Sequence, residues 1–129
     1  MIFLNDLALD AQADYIIANA NSVHLLTVAP TTYASVLADS LGSYAPTITK
    51  INYTGVGGGR AAAIAAATVT IDTATNHAGV DQTVTHYAIL DDTTSAIIGV
   101  NTITNRVVSN GDTANVPQLL VVATDAISI

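Results

Sequence analysis

The segment 60–71, "RAAAIAAATVTI", constrains the fold most, because its secondary structure decides between two classes of protein. It directly follows the glycine-rich stretch "NYTGVGGG" at 52–59. A strand, a glycine cluster and then a helix is the order in which nucleotide-binding loops are built. If the alanines form a strand instead, the chain belongs to a β-dominated class.

The surroundings of the alanines favour a strand. Alanine has the best helix propensity, but this block has no polar face to solubilise a helix and no good N-cap after the glycines. It also runs into "TVTI" at 68–71, which is a β signal. We therefore predict a strand over 61–67, with alanines where a neighbouring element packs closely, and a turn or bulge at the glycines.

The glycines also lack the partners that a phosphate site needs. A Walker loop ends in Gly-Lys-Ser/Thr, whereas here Gly59 is followed by Arg60 and Ala61. The dinucleotide fingerprint Gly-x-Gly-x-x-Gly is likewise incomplete. The sequence predicts neither nucleotide binding nor a cofactor.

Composition supports a β-rich chain of one domain over 1–129. Threonine is abundant, glutamate is absent and Lys and Arg together number 3, whereas surface helices are normally rich in long charged side chains. We predict a mainly β fold, an antiparallel sandwich or barrel, with an N-terminal amphipathic helix and a short second helix or loop. The core is expected to consist of small side chains.

The first half of the chain provides the helical signals. Apolar residues at helical spacing predict a helix over about 5–20, with its aspartates on another face. A strand is expected over 22–29. The segment 31–42 predicts a turn or two of helix, capped by Thr31 or Thr32, with Val36, Leu37 and Leu41 inward and Gly42 as a left-handed stop.

The rest of the chain predicts strands. "TITKINYT" at 47–54 alternates and should have one wet face. "THYAILDDTTSAIIGVNTI" contains two strand-like runs around a turn, and Asn110-Gly111 is a strong hairpin signal. The final "PQLLVVATDAISI" predicts a buried strand with a break near Asp125.

Charge and apolar patterning exclude several classes. A formal net charge of −7 disfavours nucleic-acid binding, which depends on clustered Lys and Arg. No apolar run reaches the length of a membrane span, and the acidic N-terminus does not suit a secretory signal. Cysteine is absent, which fits a reducing compartment without proving one. We expect a soluble protein without a leader.

No constellation predicts catalysis. His24, His77 and His86 lack metal-ligand spacing, and we interpret them as half-buried strand residues. Asp91 and Asp92 lack the alternating acids of a calcium loop, so turn chemistry explains them better. There is no Gly-x-Ser-x-Gly elbow for a serine nucleophile. We predict that the chain is not an enzyme and holds no metal.

A chain so poor in charge must either expose neutral residues to water or bury flat strands against other chains. The opening "MIFL" is one such place. It packs either on a partner or neighbouring subunit, or as an edge strand in its own core. Both alternatives remain open from the sequence.

Four segments in order carry a family resemblance: "FLNDLALDAQADYI", "VHLLTVAPTTYASVLADSLG", "GGGR" and "THYAILDDTTSAII". Their order resembles small virion structural proteins of tailed bacteriophages, encoded beside the major capsid gene, of the capsid decoration or cement type. The longer glycine cluster and the richer alanine block depart from that pattern.

The resemblance implies a virion protein that stabilises a capsid by binding across capsomers, with the major capsid protein as partner and a homotrimer as the favoured oligomer. Interfaces depend on a few anchors. The expected anchors here are Ile2, Phe3, Leu4, Arg60 and Arg106. The alternative is a head-fibre or tail module that recognises a surface glycan and would need an exposed aromatic cluster.

Overall fold

The computed structural model describes residues 2–3, 6–52, 60–123 and 126–127, and side chains within 10–52 and 60–122. In chain order the elements are β1 (Ile2–Phe3), α1 (Asp6–Asn19), β2 (Ser22–Leu26), α2 (Tyr33–Asp39), β3 (Gly42–Tyr44), β4 (Ile48–Asn52), β5 (Arg60–Ile64), β6 (Ala67–Thr70), α3 (Ala74–His77), β7 (Gln82–Asp91), β8 (Ala96–Val108), β9 (Thr113–Val116), β10 (Leu119–Ala123) and β11 (Ala126–Ile127).

The fold is mainly β, its strand pairs are antiparallel, and α1 is its N-terminal helix, which confirms the predicted class. The described strands close no barrel, so the sandwich-like alternative fits better. Contacts divide the chain into two compact units. The first comprises 1–19, 47–66 and 117–129, and the second comprises 20–46 and 67–116. The single domain over 1–129 stays a prediction.

The first unit contains a three-stranded sheet in the order β10-β5-β4, with α1 packed on it. Its central strand explains the alanines. Ala61, Ala62 and Ala63 are buried in β5, which packs against α1, and small side chains there allow close packing on the sheet. The prediction of a strand is confirmed for 61–64, and the helix required after a phosphate-binding loop is not formed there.

The alanine block is nevertheless two strands rather than one. Ala65 and Ala66 separate β5 from β6, and these strands belong to different sheets and different units. The predicted turn at the glycines lies outside the described residues.

Helix α1 begins and ends close to its predicted bounds, but its aspartates are not turned away from the sheet. Ala13 and Ile16 are buried, whereas Ile17, predicted on the same apolar face, is exposed. Asp10 and Asp14 contact basic side chains of β4 and β5. Ion pairs therefore add to the apolar contact that Ala13 and Ile16 make among the described side chains of this helix.

The last strand was predicted to be buried, and this is correct only in part. In β10, Leu119 is buried, whereas Leu120 and Val122 are exposed. This alternation is what an edge strand with one covered face shows. The predicted break near Asp125 falls on undescribed residues.

The second unit contains a four-stranded sheet in the order β3-β2-β7-β8 and a two-stranded sheet of β6 and β9. The long hairpin β7–β8 confirms the two runs predicted around "DDTTS". Asp91 turns the chain there, since its Oδ1 accepts hydrogen bonds from the amides of Thr93 and Thr94. Leu26, Val36, Ala88 and Leu90 form a buried cluster under α2.

Helix α2 starts as the sequence predicts. The Thr32 Oγ1 accepts from the Ser35 amide and the Ser35 Oγ accepts from the Thr32 amide, which is a capping box. Val36 and Leu41 are buried, but Leu37 is exposed, so its predicted inward position is wrong. Gly42 does not stop the helix either. It opens β3, where it lies against β6.

Asn110-Gly111 forms a turn but not a hairpin, so that prediction is wrong. The strands on either side, β8 and β9, do not pair with each other, because β9 pairs with β6. The dipeptide specified a tight turn but not the partner of the strand that follows. Helix α3 was not predicted, since four residues are too few to show periodicity.

No helix in the described part of the chain is both long and apolar enough to cross a membrane.

Candidate interaction surface

The N-terminal anchors lie in part outside the described residues. Ile2 and Phe3 form β1, which pairs with β11 through Ile127 and Ala126. This ladder fits the alternative in which the opening is a strand of its own chain. Leu4 is not among the described residues, and the contacts of these anchors with a partner stay a prediction.

The two arginine anchors belong to different units. Arg60 lies in the first unit, where its Nε donates to Asp10 Oδ1 at 2.9 Å. Arg106 lies on β8 in the second unit, where its Nη2 is 3.4 Å from the Thr113 carbonyl oxygen. Each arginine therefore has a contact within its own unit.

The strand register places two rows of side chains on one face of the three-stranded sheet. Ile51, Ala61 and Val122 are cross-strand neighbours, and Thr49, Ala63 and Leu120 form the next row of the same face. We call the exposed members of this face, Thr49, Ile51, Leu120 and Val122, the aliphatic face.

The aliphatic face exposes apolar side chains on the edge strands only. Ile51 is 37% exposed, Leu120 41% and Val122 39%, while Ala61 and Ala63 between them are buried. The exposed apolar area of this face therefore lies along its two edge strands, and grouped exposed apolar side chains mark interaction sites more often than isolated ones do.

Charge is confined to the opposite face of that sheet. Lys50 lies there, with its Nζ 3.2 Å from Asp14 Oδ1 and 3.9 Å from Asp10 Oδ2. Arg60 lies on the same face through its register with Asn52. The sheet thus separates an ion-paired face under α1 from an aliphatic face with no charged side chain.

The polar side chains of the second unit connect its helices, strands and loops through hydrogen bonds. His24 is buried on β2, and its Nδ1 is 2.7 Å from Ser40 Oγ, which also lies 3.3 Å from the Gly42 amide. Burial is the main cause that lowers the pKa of His24, against a smaller opposing effect of Asp92. A serine beside a neutral histidine is one part of a nucleophilic site, but here the hydroxyl joins α2 to β3.

The other histidines also contact neighbouring loops. His77 lies on α3 rather than on a strand, which corrects its predicted place, and its Nε2 is 3.0 Å from the Asp39 carbonyl oxygen. His86 Nδ1 lies 2.7 Å from Thr85 Oγ1. Asp39 accepts hydrogen bonds from the amide and hydroxyl of Thr27. Within the described residues no three His, Cys, Asp or Glu side chains converge on a metal position.

The tyrosines are dispersed. Tyr15 is exposed on α1, Tyr33 donates its hydroxyl to Asp92 Oδ1, and Tyr87 is buried on β7. Burial, and to a smaller extent the nearby Tyr87, raises the pKa of Tyr44 to about 12. Tyr53 lies outside the described residues. The four described tyrosines therefore offer no exposed aromatic cluster for stacking on a sugar.

The chain matches no protein-family model, no curated protein and no solved structure. The aliphatic face was missed by sequence reasoning, although the spacing 49/51 and 120/122 contained the signal. It could be interpreted only once the register showed that β4 and β10 flank the same central strand.

Proposed function

We propose that this protein is a structural component of a tailed-bacteriophage virion, which decorates the capsid and stabilises it by binding across neighbouring copies of the major capsid protein. The observation that supports this most is the aliphatic face: exposed Ile51, Leu120 and Val122 on a sheet surface without charge. The resemblance of four sequence segments supplies the partner.

The energetics of such a contact suit a binding role. Burying apolar surface contributes about 25 cal/mol per Å². A stable interface needs roughly 800 Å² on each partner, organised around a few anchors. Ile51, Leu120 and Val122 would provide the apolar centre, and the threonine- and asparagine-rich strands around them a neutral polar rim.

The charge distribution favours a protein partner over nucleic acid. The formal net charge is −7, and two of the 3 basic residues, Lys50 and Arg60, are paired with aspartates of α1. A phosphate backbone would be repelled by this chain. A decoration role requires no cofactor and no catalysis, and a homotrimer assembled on the virion stays the favoured arrangement.

The experiment is a binding assay on expanded capsids that lack the protein. The resemblance implies that the gene beside this one encodes the major capsid protein of such capsids. We expect the wild-type chain to co-sediment with such capsids and to raise their resistance to heat. The double variant Ile51→Thr/Val122→Thr should bind at least about tenfold more weakly, because it replaces two anchors while keeping β-branched residues on the strands.

The matched control is Val80→Thr, an aliphatic-to-hydroxyl change at a side chain that is 60% exposed in the second unit. Its binding should equal that of the wild type. Circular dichroism and urea unfolding must first show that all variants are folded. Absence of binding by the wild type to expanded capsids refutes the decoration role, and hits on a glycan array would favour the fibre or tail alternative.

A further inference from the structure

Asn110 and Gly111 form the dipeptide most prone to spontaneous deamidation. In that reaction the Gly111 nitrogen loses its proton and attacks Asn110 Cγ to form an N–C bond; the bond from Cγ to the side-chain nitrogen breaks, and that nitrogen takes up a proton and leaves as ammonia. Water then opens the cyclic imide to aspartate or isoaspartate. Glycine promotes the attack because it has no side chain to hinder the approach of its nitrogen.

The structure holds both reacting groups in a clamp between two loops. The Gly111 amide donates to the Ile71 carbonyl oxygen at 2.8 Å, and the Thr73 amide donates to Asn110 Oδ1 at 3.0 Å. A third bond joins the Ile71 amide to the Asp112 carbonyl oxygen at 2.7 Å. We define the clamp as residues 71–73 and 109–112.

The turn within the clamp is itself fixed. The Asp112 amide donates to the Ser109 carbonyl oxygen at 3.1 Å, and Asp112 Oδ2 accepts from the Ser109 amide at 2.8 Å. Gly111 has φ +86°, whereas Asn110 does not have a positive φ, which is the arrangement of a type II turn. For Gly111 N to attack Asn110 Cγ, two hydrogen bonds must first break. These are the bond from the Gly111 amide to the Ile71 oxygen and the bond from the Thr73 amide to Asn110 Oδ1.

We propose that Asn110 is a latent deamidation site that the clamp protects, so that it becomes reactive only when residues 71–73 and 109–112 separate. Asn110 is exposed to solvent, and what protects it is therefore its hydrogen bonding rather than its burial. Local openings of this kind occur in folded proteins without global unfolding.

The two products would have different effects on the fold. Aspartate at 110 retains an oxygen that can accept from the Thr73 amide. Its carboxylate adds one negative charge, which changes the formal net charge from −7 to −8. Isoaspartate lengthens the backbone by one methylene and moves the side chain away from Thr73. It would prevent the clamp from closing again, so the reaction converts a transient opening into a permanent one.

Peptide mass spectrometry of the full chain tests this directly. The protein is incubated in mildly alkaline buffer, folded or in guanidinium chloride, and conversion at Asn110 is followed over time. We expect it to be at least about tenfold slower in the folded chain. Asn101 and Asn115, which precede Thr and Val, serve as internal references in the same digest.

Asp112→Ala removes the side-chain acceptor of the Ser109 amide and should raise the folded-state rate several-fold, whereas Asp112→Asn retains an acceptor oxygen and should stay near the wild-type rate. Native-state hydrogen exchange provides a measurement that needs no variant, because the amides of Gly111 and Thr73 should be protected. Equal rates in folded and denatured wild type, unprotected amides, or an Asp112→Ala rate equal to that of Asp112→Asn would each overturn the proposal.

Discussion

Gly42→Ala tests how closely β3 approaches β6. A Cβ at residue 42 would lie 2.6 Å from Val69 Cγ1 and 2.9 Å from the Thr70 carbonyl oxygen. Carbon atoms in ordinary contact are about 3.5–4.0 Å apart, so the overlap with Val69 is roughly 1 Å. Val69 is buried, and the Thr70 oxygen belongs to the strand backbone, so neither can move aside freely.

The cost has two parts. Overpacking of this type costs about 1–3 kcal/mol. The φ of +153° at Gly42 is a conformation that residues with a side chain rarely adopt, which adds about 1–3 kcal/mol. The lower entropy of alanine in the unfolded chain offsets about 0.5–1 kcal/mol. We expect Gly42→Ala to lower the free energy of unfolding by about 1–5 kcal/mol.

Gly99→Ala is the matched control, because a Cβ at residue 99 of β8 meets no atom within 4 Å and the glycine has no positive φ. It should be neutral or stabilising by up to about 1 kcal/mol. Urea unfolding gives both values, provided that the slopes of the two variants agree. If the two midpoints agree, the close approach of β3 to β6 is wrong.

Three further predictions concern other parts of the chain. Asp10→Asn should lower the free energy of unfolding by about 1 kcal/mol and Asp14→Asn by less, because Asp10 is less exposed and contacts both Lys50 and Arg60. Urea unfolding at low and high salt separates the electrostatic contribution of these ion pairs, and equal losses for the two variants would contradict the prediction. Because burial lowers the pKa of His24 below its ordinary value of 6.5, the unfolded chain binds a proton that the folded chain does not, so stability should fall as pH decreases below about 6.5. His24→Gln should flatten that fall in urea midpoints measured against pH, and an unchanged slope would refute it. Leu41→Ala should lower the free energy of unfolding by about 2–5 kcal/mol and Leu37→Ala by less than about 0.5 kcal/mol, because only Leu41 is buried. Similar losses for the two variants in thermal or urea unfolding would show that Leu37 is part of the core.

Local signals in the sequence predicted most elements but not their partners. The Thr32 cap fixed the start of α2, and "DDTTS" fixed the β7–β8 hairpin, because each depends on residues close in sequence. The partner of β9 depends on contacts with 67–70, more than forty residues earlier, and no turn residue encodes them.

The orientation of side chains was predicted less well for a related reason. Ile17 and Leu37 follow the apolar spacing of their helices, yet both are exposed. A short helix covers only a narrow strip of sheet, so the width of the buried stripe depends on the surface it meets. Likewise the pairing of Arg60 with Asp10 depends on the packing of α1 against β5, which composition alone does not determine.

The edges of the two large sheets differ in a way that bears on assembly. Register shifts between Val84 and His86, and between Ile89 and Leu90, interrupt the pairing of β8, and the Thr102 amide is already bonded to Asn101 Oδ1 at 2.8 Å. Such irregularities hinder the addition of a foreign strand to a sheet edge.

The edge strands β4 and β10 of the first unit instead present aliphatic side chains from their surface. A partner is therefore expected to dock on side chains of the aliphatic face rather than to extend the β8 edge through backbone hydrogen bonds. For that reason the Ile51→Thr/Val122→Thr variant, which leaves backbone donors and acceptors in place, is the more informative test of the proposed function.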